Sequence, residues 1–311
     1  MAELQLCLHL PGVQILEERT AFAGGELLHP DFDTWYRIDG THEYADSKYA
    51  RTRPLFWEGP LFRDGSDDVR VATQAVPVQA VPTQADPVQS DLLRAGRTQA
   101  RQLHRLFLLH PWAPAVVSPL LSTFYIGVHH DGRGTSFPCV GYAEREWIVF
   151  GGVPTFQFEA SDLTMIADIA ELIDQVPENS WPGPLVAALD TLERTARPEY
   201  GYDVGAGSGL AAAFVAAIAA CEGLVSGHPA SPNASLTDAF AQRLAALIPF
   251  GDDDHEVRKA ELAEIYRLRS RLVHGRLALT ELDPAQQAML HGGRRLLRDA
   301  CIATLSHLGD G

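Results

Sequence analysis

Two side chains near the C-terminal end have groups suited to work on a phosphate: the guanidinium of Arg269 and the imidazole of His274. Arginine offers a planar fork to phosphate or carboxylate oxygens and stays charged, its pKa being above ~12. Histidine titrates near neutrality and can take or give a proton. The Arg-x4-His spacing recurs at Arg37 to His42 and at Arg105 to His110, so spacing alone says little. Context separates the third pair: Tyr266 stands three residues before Arg269, Ser270 follows Arg269, and Gly275 follows His274.

Arg269 is also oddly placed. Leu262, Ile265, Leu268 and Leu272 recur at helical spacing and make one apolar stripe. At about 100° per residue Arg269 falls inside that stripe, while Arg267, Arg271 and His274 fall on the opposite side. A guanidinium buried without a partner would cost several kcal/mol. Arg269 must therefore meet a carboxylate, a ligand phosphate or a second protein surface.

The elements that would position these groups are helices. Asp253 and Glu256 form a capping-box pattern ahead of the arginine helix. Gly275 is placed as its C′ residue, where a left-handed backbone suits glycine. Upstream, Leu210 to Val225 is apolar nearly all round and contains Glu222, and Leu236 to Ile248 has Arg243 on the edge of its apolar face. Core-facing charges must satisfy one another or a ligand. The expectation is that Glu222 accepts from Arg243 or Arg269 and orients the guanidinium. A purely structural ion network fits the same pattern. Leu185 to Arg197 reads as a further amphipathic helix, and Asp283-Pro284 caps a last one running to about Leu308. Gly205-Ala206-Gly207-Ser208-Gly209 lacks the lysine of a phosphate loop and reads as a helix lead-in.

The first half reads differently. Leu4 to Leu10 alternates like a strand, and Trp35 to Ile38, Pro54 to Trp57, Thr123 to Val128, Glu146 to Phe150 and Thr155 to Phe158 suggest others. Residues 66–90 contain a five-residue Pro/Gln repeat, read as an extended linker or loop. Ser90-Asp91 opens a helix to about Leu109, whose Arg94, Arg97, Arg101 and Arg105 form a basic stripe, read as a solvated face or, second, as a contact for RNA phosphate. Ser161 caps a helix with Met165, Ile166, Ile169, Leu172, Ile173 and Val176 on its apolar side. His129-His130-Asp131 has no third ligand at useful spacing, so no metal is expected there. The expected class is α+β: a β-rich N-terminal domain over 1–180, then an all-α bundle over 184–308.

Net charge of −15 argues against sequence-blind nucleic-acid binding, which relies on phosphate neutralisation, but leaves room for a local basic site. The four cysteines, Cys7, Cys139, Cys221 and Cys301, lack metal-ligand spacing and read as reduced and structural. No signal peptide or membrane span is expected, which points to the cytoplasm.

The string Tyr266-x2-Arg269-Ser270-x2-Val273-His274-Gly275 resembles the signature of the Apea-like branch of the HEPN superfamily. Ala220-Cys221-Glu222-Gly223-Leu224 and Ala241 to Leu247 extend the resemblance, which does not reach the first half. It implies a helical bundle that forms a homodimer and acts as a metal-independent endoribonuclease, a nuclease and hydrolase of RNA needing no cofactor. Arg269 and His274 would be the catalytic pair, with Glu222, Arg243, Tyr266 and Ser270 in support and Arg267, Arg271 and Arg276 available to RNA. Positions five apart on a helix are ~140° apart around its axis, so a two-fold pairing of helices would be needed to gather both copies. The resemblance further implies antiphage defence or stress-induced growth arrest, with the N-terminal domain answering a phage-derived or cellular trigger. The alternative is a non-catalytic HEPN module that binds RNA or nucleotide or mediates assembly. Arg276 stands where the branch controlled by nucleotidyl modification has tyrosine.

Overall fold

The computed structural model describes residues 3–9, 13–15, 19–22, 25–28, 56–60, 87–109, 123–130, 134–142, 156–158, 160–176, 180–195, 207–248 and 255–309. The chain divides into two compact units. Met1–His104 with Val117–Ala167 forms the first, and Arg105–Val116 with Asp168–Gly311 the second.

Helix, not strand, dominates the described residues, so the expected α+β class with a β-rich N-terminal domain is corrected. Two long helices lie within 1–180: α1 (Pro87–Leu109, 23 residues) and α2 (Ala160–Gln175, 16 residues), whereas among the described residues no strand exceeds nine residues. Apolar residues at helical spacing over 87–109 and 160–175 make long amphipathic helices there, and Ala100, Leu103, Leu106, Leu108, Leu109, Ile166, Ile169 and Ala170 on them are buried, as are Leu6 and Leu27 on strands. Alternation in the sequence marks where strands can pair, but an amphipathic helix hides more apolar surface per element. The strands are β1 (Glu3–His9), β2 (Val13–Ile15), β3 (Arg19–Phe22), β4 (Gly25–Leu28), β5 (Phe56–Pro60), β6 (Thr123–His130), β7 (Gly134–Tyr142) and β8 (Phe156–Phe158). They pair in the order β3-β4-β5-β1-β6-β7, with a separate parallel β2-β8 pair. Leu6 of β1 is opposite both Gly59 and Ile126.

α1 starts at Pro87, ahead of the expected Ser90, because proline is well tolerated at a first helical position. Met165, assigned to an apolar face, is exposed. Trp35 to Ile38, Glu146 to Phe150, the repeats before Pro87, Asp131 and Asp253 lie outside the described residues.

The second unit is built around α4 (Gly207–Val225), which packs against α3 (Gly183–Thr195), α5 (Leu236–Leu247), α6 (His255–Val273) and α7 (Pro284–Gly309). An almost wholly apolar helix must be covered on most sides. Phe214, Ala217, Ile218 and Cys221 have no exposed surface. Gly207 to Gly209 form its first turn rather than a lead-in. Gly293 of α7 lets that helix approach α4 closely, since a Cβ there would lie 2.6 Å from Phe214 Cδ2.

The helix ends follow local chemistry. Ser235 caps α5 by accepting from the Asp238 N–H. Asp283 Oδ1 accepts from the Gln286 N–H at 2.8 Å, and Pro284 takes the first position of α7. A 3₁₀ turn, Leu279–Glu281, joins α6 to α7.

Candidate functional site

α6 ends as its sequence requires. Gly275 has φ of 63°, the Gly275 N–H donates to the Leu272 carbonyl, and the Arg276 N–H donates to the Arg271 carbonyl at 2.9 Å. These two bonds make a Schellman motif, with His274 as the last residue before the left-handed glycine. His274 is exposed. The negative end of the helix dipole lies there, a setting that favours cations.

One to two turns back, α6 presents its buried face. Leu262 and Leu268 are fully buried, and Tyr266 is 7% exposed. The Tyr266 ring lies 4.8 Å from the Phe240 ring of α5, centroid to centroid. Its hydroxyl donates to Glu222 Oε1 of α4 at 3.0 Å. The other carboxylate oxygen, Oε2, faces Arg269 Nη2 at 3.7 Å. Arg269 Cζ stands 5.7 Å from the Tyr266 ring centroid, within reach of a cation–π contact. Helices α4, α5 and α6 thus meet at one polar cluster on an aromatic base.

The electrostatics follow from this arrangement. Burial pushes the Tyr266 hydroxyl above its ordinary value, and the hydrogen bond and charge of Glu222 push it further, while Arg269 works the other way. Tyr266 therefore remains a proton donor to the carboxylate at neutral pH. The Arg269 side chain is 23% exposed and that of Glu222 is 42% exposed, so solvent reaches the pair. Arg269 Nε is shut off from solvent without a hydrogen-bond partner. Arg269 is held by two weak contacts, the long pair with Glu222 and the Tyr266 ring face, rather than by one tight ion pair.

Of the two arginines offered to Glu222, only Arg269 pairs with it. Arg243 Nε lies buried with no hydrogen-bond partner, and the second Glu222 bond goes to Tyr266. Ser270 contributes its carbonyl to the His274 N–H at 3.1 Å and is partly buried. Arg267 pairs with Glu264, and its side chain is 51% exposed. Arg271 is partly buried and Arg276 is exposed. Glu256 pairs with Lys259.

Sequence reasoning missed two features. Arg105 does not lie on a solvated face. It is 8% exposed, with Nη2 2.8 Å from Asp190 Oδ1 and Nε 3.7 Å from Glu193 Oε2. Arg294 and Arg298 of α7 are likewise drawn inward, and the leucines around them were the available signal. Cys221 and Cys301 are free and fully buried, and burial raises both thiols, so they are poor nucleophiles.

Among the described residues no three His, Cys, Asp or Glu side chains are grouped to hold a metal ion, and no helix is long and apolar enough to cross a membrane. No protein-family profile, curated protein or solved structure matches the chain.

Proposed function

We propose that the second unit is a HEPN-type endoribonuclease that cleaves RNA without a metal, acting as a homodimer in antiphage defence or stress-induced growth arrest. The observation that supports it most is how Arg269 is held. Glu222 and Tyr266 orient the guanidinium, yet the ion pair is long at 3.7 Å and solvent-accessible, so a phosphate can compete for it. Exposed His274 follows at the helix tip, where a partner surface and RNA can both reach it.

In this reading the RNA 2′-hydroxyl attacks the adjacent phosphorus. His274 takes the hydroxyl proton, and Arg269 stabilises the charge that builds on the phosphoryl oxygens. The bond from phosphorus to the 5′-oxygen breaks, and that oxygen leaves with a proton from the second copy's imidazole or from water. The products are a 2′,3′-cyclic phosphate and a 5′-hydroxyl. Arg267, Arg271 and Arg276 meet the flanking backbone. Tyr266 and Glu222 are positioning residues, and the first unit answers the trigger.

Full-length protein is incubated with structured RNA in EDTA beside His274→Ala and Arg269→Ala. Expected is cleavage by wild type with cyclic-phosphate ends, reduced by about 10²-fold or more in His274→Ala. Undiminished cleavage by His274→Ala removes that residue from the mechanism. A second reading, a non-catalytic module that binds RNA or nucleotide or mediates assembly, is favoured by one fact: Glu222, Tyr266 and Arg269 already satisfy one another within a single chain. RNA binding without cleavage supports it.

A further inference from the structure

The inward face of α6 outruns its cover. Leu262, Tyr266, Arg269 and Val273 follow one another at i, i+4, i+7 and i+11, so one stripe carries all four. Leu262 is fully buried, Tyr266 nearly so, Arg269 partly exposed and Val273 48% exposed. α4 stops at Val225, and Glu222 in its last turn is already at the level of Tyr266 and Arg269. α5 leaves the same end open. The chain from Leu247 to His255 is too short to run back along α6, so the two helices are antiparallel, with Phe240 beside Tyr266. One turn before Phe240 comes Leu236, the first residue of α5, which is 78% exposed. Leu236 and Val273 therefore stand at the same end of the helix pair as Arg269.

Single apolar residues on a surface are ordinary. Two of them at one end of a helix pair, beside a guanidinium, ask for an occupant. The charges there choose between candidates. Arg269, Arg271 and Arg276, with His274, lie on or just past the end of α6. Against them stand Glu222 and Asp238, and the Asp238 carboxylate accepts from the Ser235 hydroxyl at 2.7 Å. Two copies closed directly on this surface would set arginine against arginine. RNA lying between them brings the opposite charge, and its bases bring flat apolar faces. Val273 lies one turn beyond Arg269 on the same face, about 6 Å along the axis, a spacing that suits a phosphate and the base next to it.

We propose that Leu236 and Val273 form an apolar shelf that takes a base of the bound RNA, next to the phosphate held by Arg269. The inference rests on the reading of Arg269 as a phosphate-binding group and adds what receives the base. Leucine and valine offer contact area but no hydrogen bond, so the shelf fixes where a base sits without reading which base it is. A base can lie on the shelf only when it is unpaired and turned out of its stack, so the RNA is single-stranded or looped at the point of cleavage.

The test is fluorescence anisotropy with full-length protein carrying His274→Ala, so that the probe stays whole during the titration. Two probes are compared at equal ionic strength: a short single-stranded RNA, and a ribose-phosphate oligomer of the same length without bases. The RNA should bind about tenfold or more tighter. Adding Leu236→Ser and Val273→Ser should cut RNA affinity by about tenfold and leave the abasic oligomer unchanged. Both positions are exposed, so this variant should melt with its parent. Val273→Tyr supplies a ring and should raise RNA affinity by about fivefold. The proposal is overturned if both oligomers bind the parent alike, or if the double serine variant keeps the full preference for bases. It also falls if the serine variant weakens self-association while that preference persists, because a second copy then covers the shelf. Arg269→Ala separates this inference from the reading beneath it. It should weaken both oligomers, and if it weakens neither, the phosphate reading falls. Weaker binding of both in Arg269→Ala, with no preference for bases in the parent, sinks the shelf alone.

Discussion

Removing Glu222 tests the polar cluster most directly, because two substitutions dissect its two bonds. Glu222→Ala deletes both the acceptor for Tyr266 and the partner of Arg269. A hydrogen bond to a charged group contributes about 1.5–3 kcal/mol when buried. The Glu222 side chain is 42% exposed, so screening brings this nearer to about 1 kcal/mol. The 3.7 Å pair with Arg269, also partly solvated, adds on the order of 0.5 kcal/mol. Glu222→Ala should therefore destabilise by about 1.5 kcal/mol. Glu222→Gln keeps a carbonyl acceptor for the Tyr266 hydroxyl and loses mainly the charge, so about 0.5 kcal/mol is expected. Urea unfolding followed by circular dichroism resolves this difference, and the RNA assay runs on the same samples. If Glu222→Gln folds normally but loses cleavage, the carboxylate positions Arg269 for chemistry. If both variants unfold the protein outright, the cluster is a structural network. Stability equal to wild type in Glu222→Ala would refute the energetic account altogether.

Other perturbations follow from the same geometry. The raised Tyr266 hydroxyl holds its proton more tightly in the folded protein than its ordinary value of 10.0 implies. Its contribution is therefore complete below about pH 10 and lost as pH climbs through the raised value, so Tyr266→Phe should flatten that part of the alkaline decline in a stability-versus-pH series. Gly275→Ala puts a Cβ on a residue with φ of 63° and should cost about 1 kcal/mol by chemical denaturation, with α6 fraying at His274 in hydrogen exchange. Gly292→Ala meets open space in mid-helix and should stabilise by about 0.5–1 kcal/mol, whereas Gly293→Ala drives a Cβ to 2.6 Å from Phe214 Cδ2 and should destabilise by about 1–3 kcal/mol, both read by melting temperature. Arg105→Ala removes a cation from beside the nearly buried Glu193 carboxylate and from Asp190, and should destabilise by about 1–3 kcal/mol in denaturant titration.

Local signals were legible from the chain alone. Gly275 announced the end of α6, Asp283-Pro284 the start of α7, and the unbroken apolar run after Leu210 a helix surrounded by others. Each depends on neighbours in sequence: a left-handed residue, a cap, a helical period. The wheel position of Arg269 likewise showed that its guanidinium is drawn toward the interior and needs a partner.

Which partner it finds was beyond the sequence. Glu222 lies 44 residues before Tyr266, and only the packing of α4 against α6 decides that Tyr266 and Arg269, rather than Arg243, share its carboxylate. Arg105 and Arg294 make the same point. A basic stripe at helical spacing looks identical on paper whether it meets water, as Arg94 does, or turns inward to Asp190 and Glu193, as Arg105 does. The balance of helix and strand was misjudged for a related reason: alternation shows that a segment can pair, while the burial that selects the dominant element is collective. Periodicity and capping are one-dimensional and readable in order, whereas the partner of a buried charge is fixed by distance between helices, a property of the folded chain only.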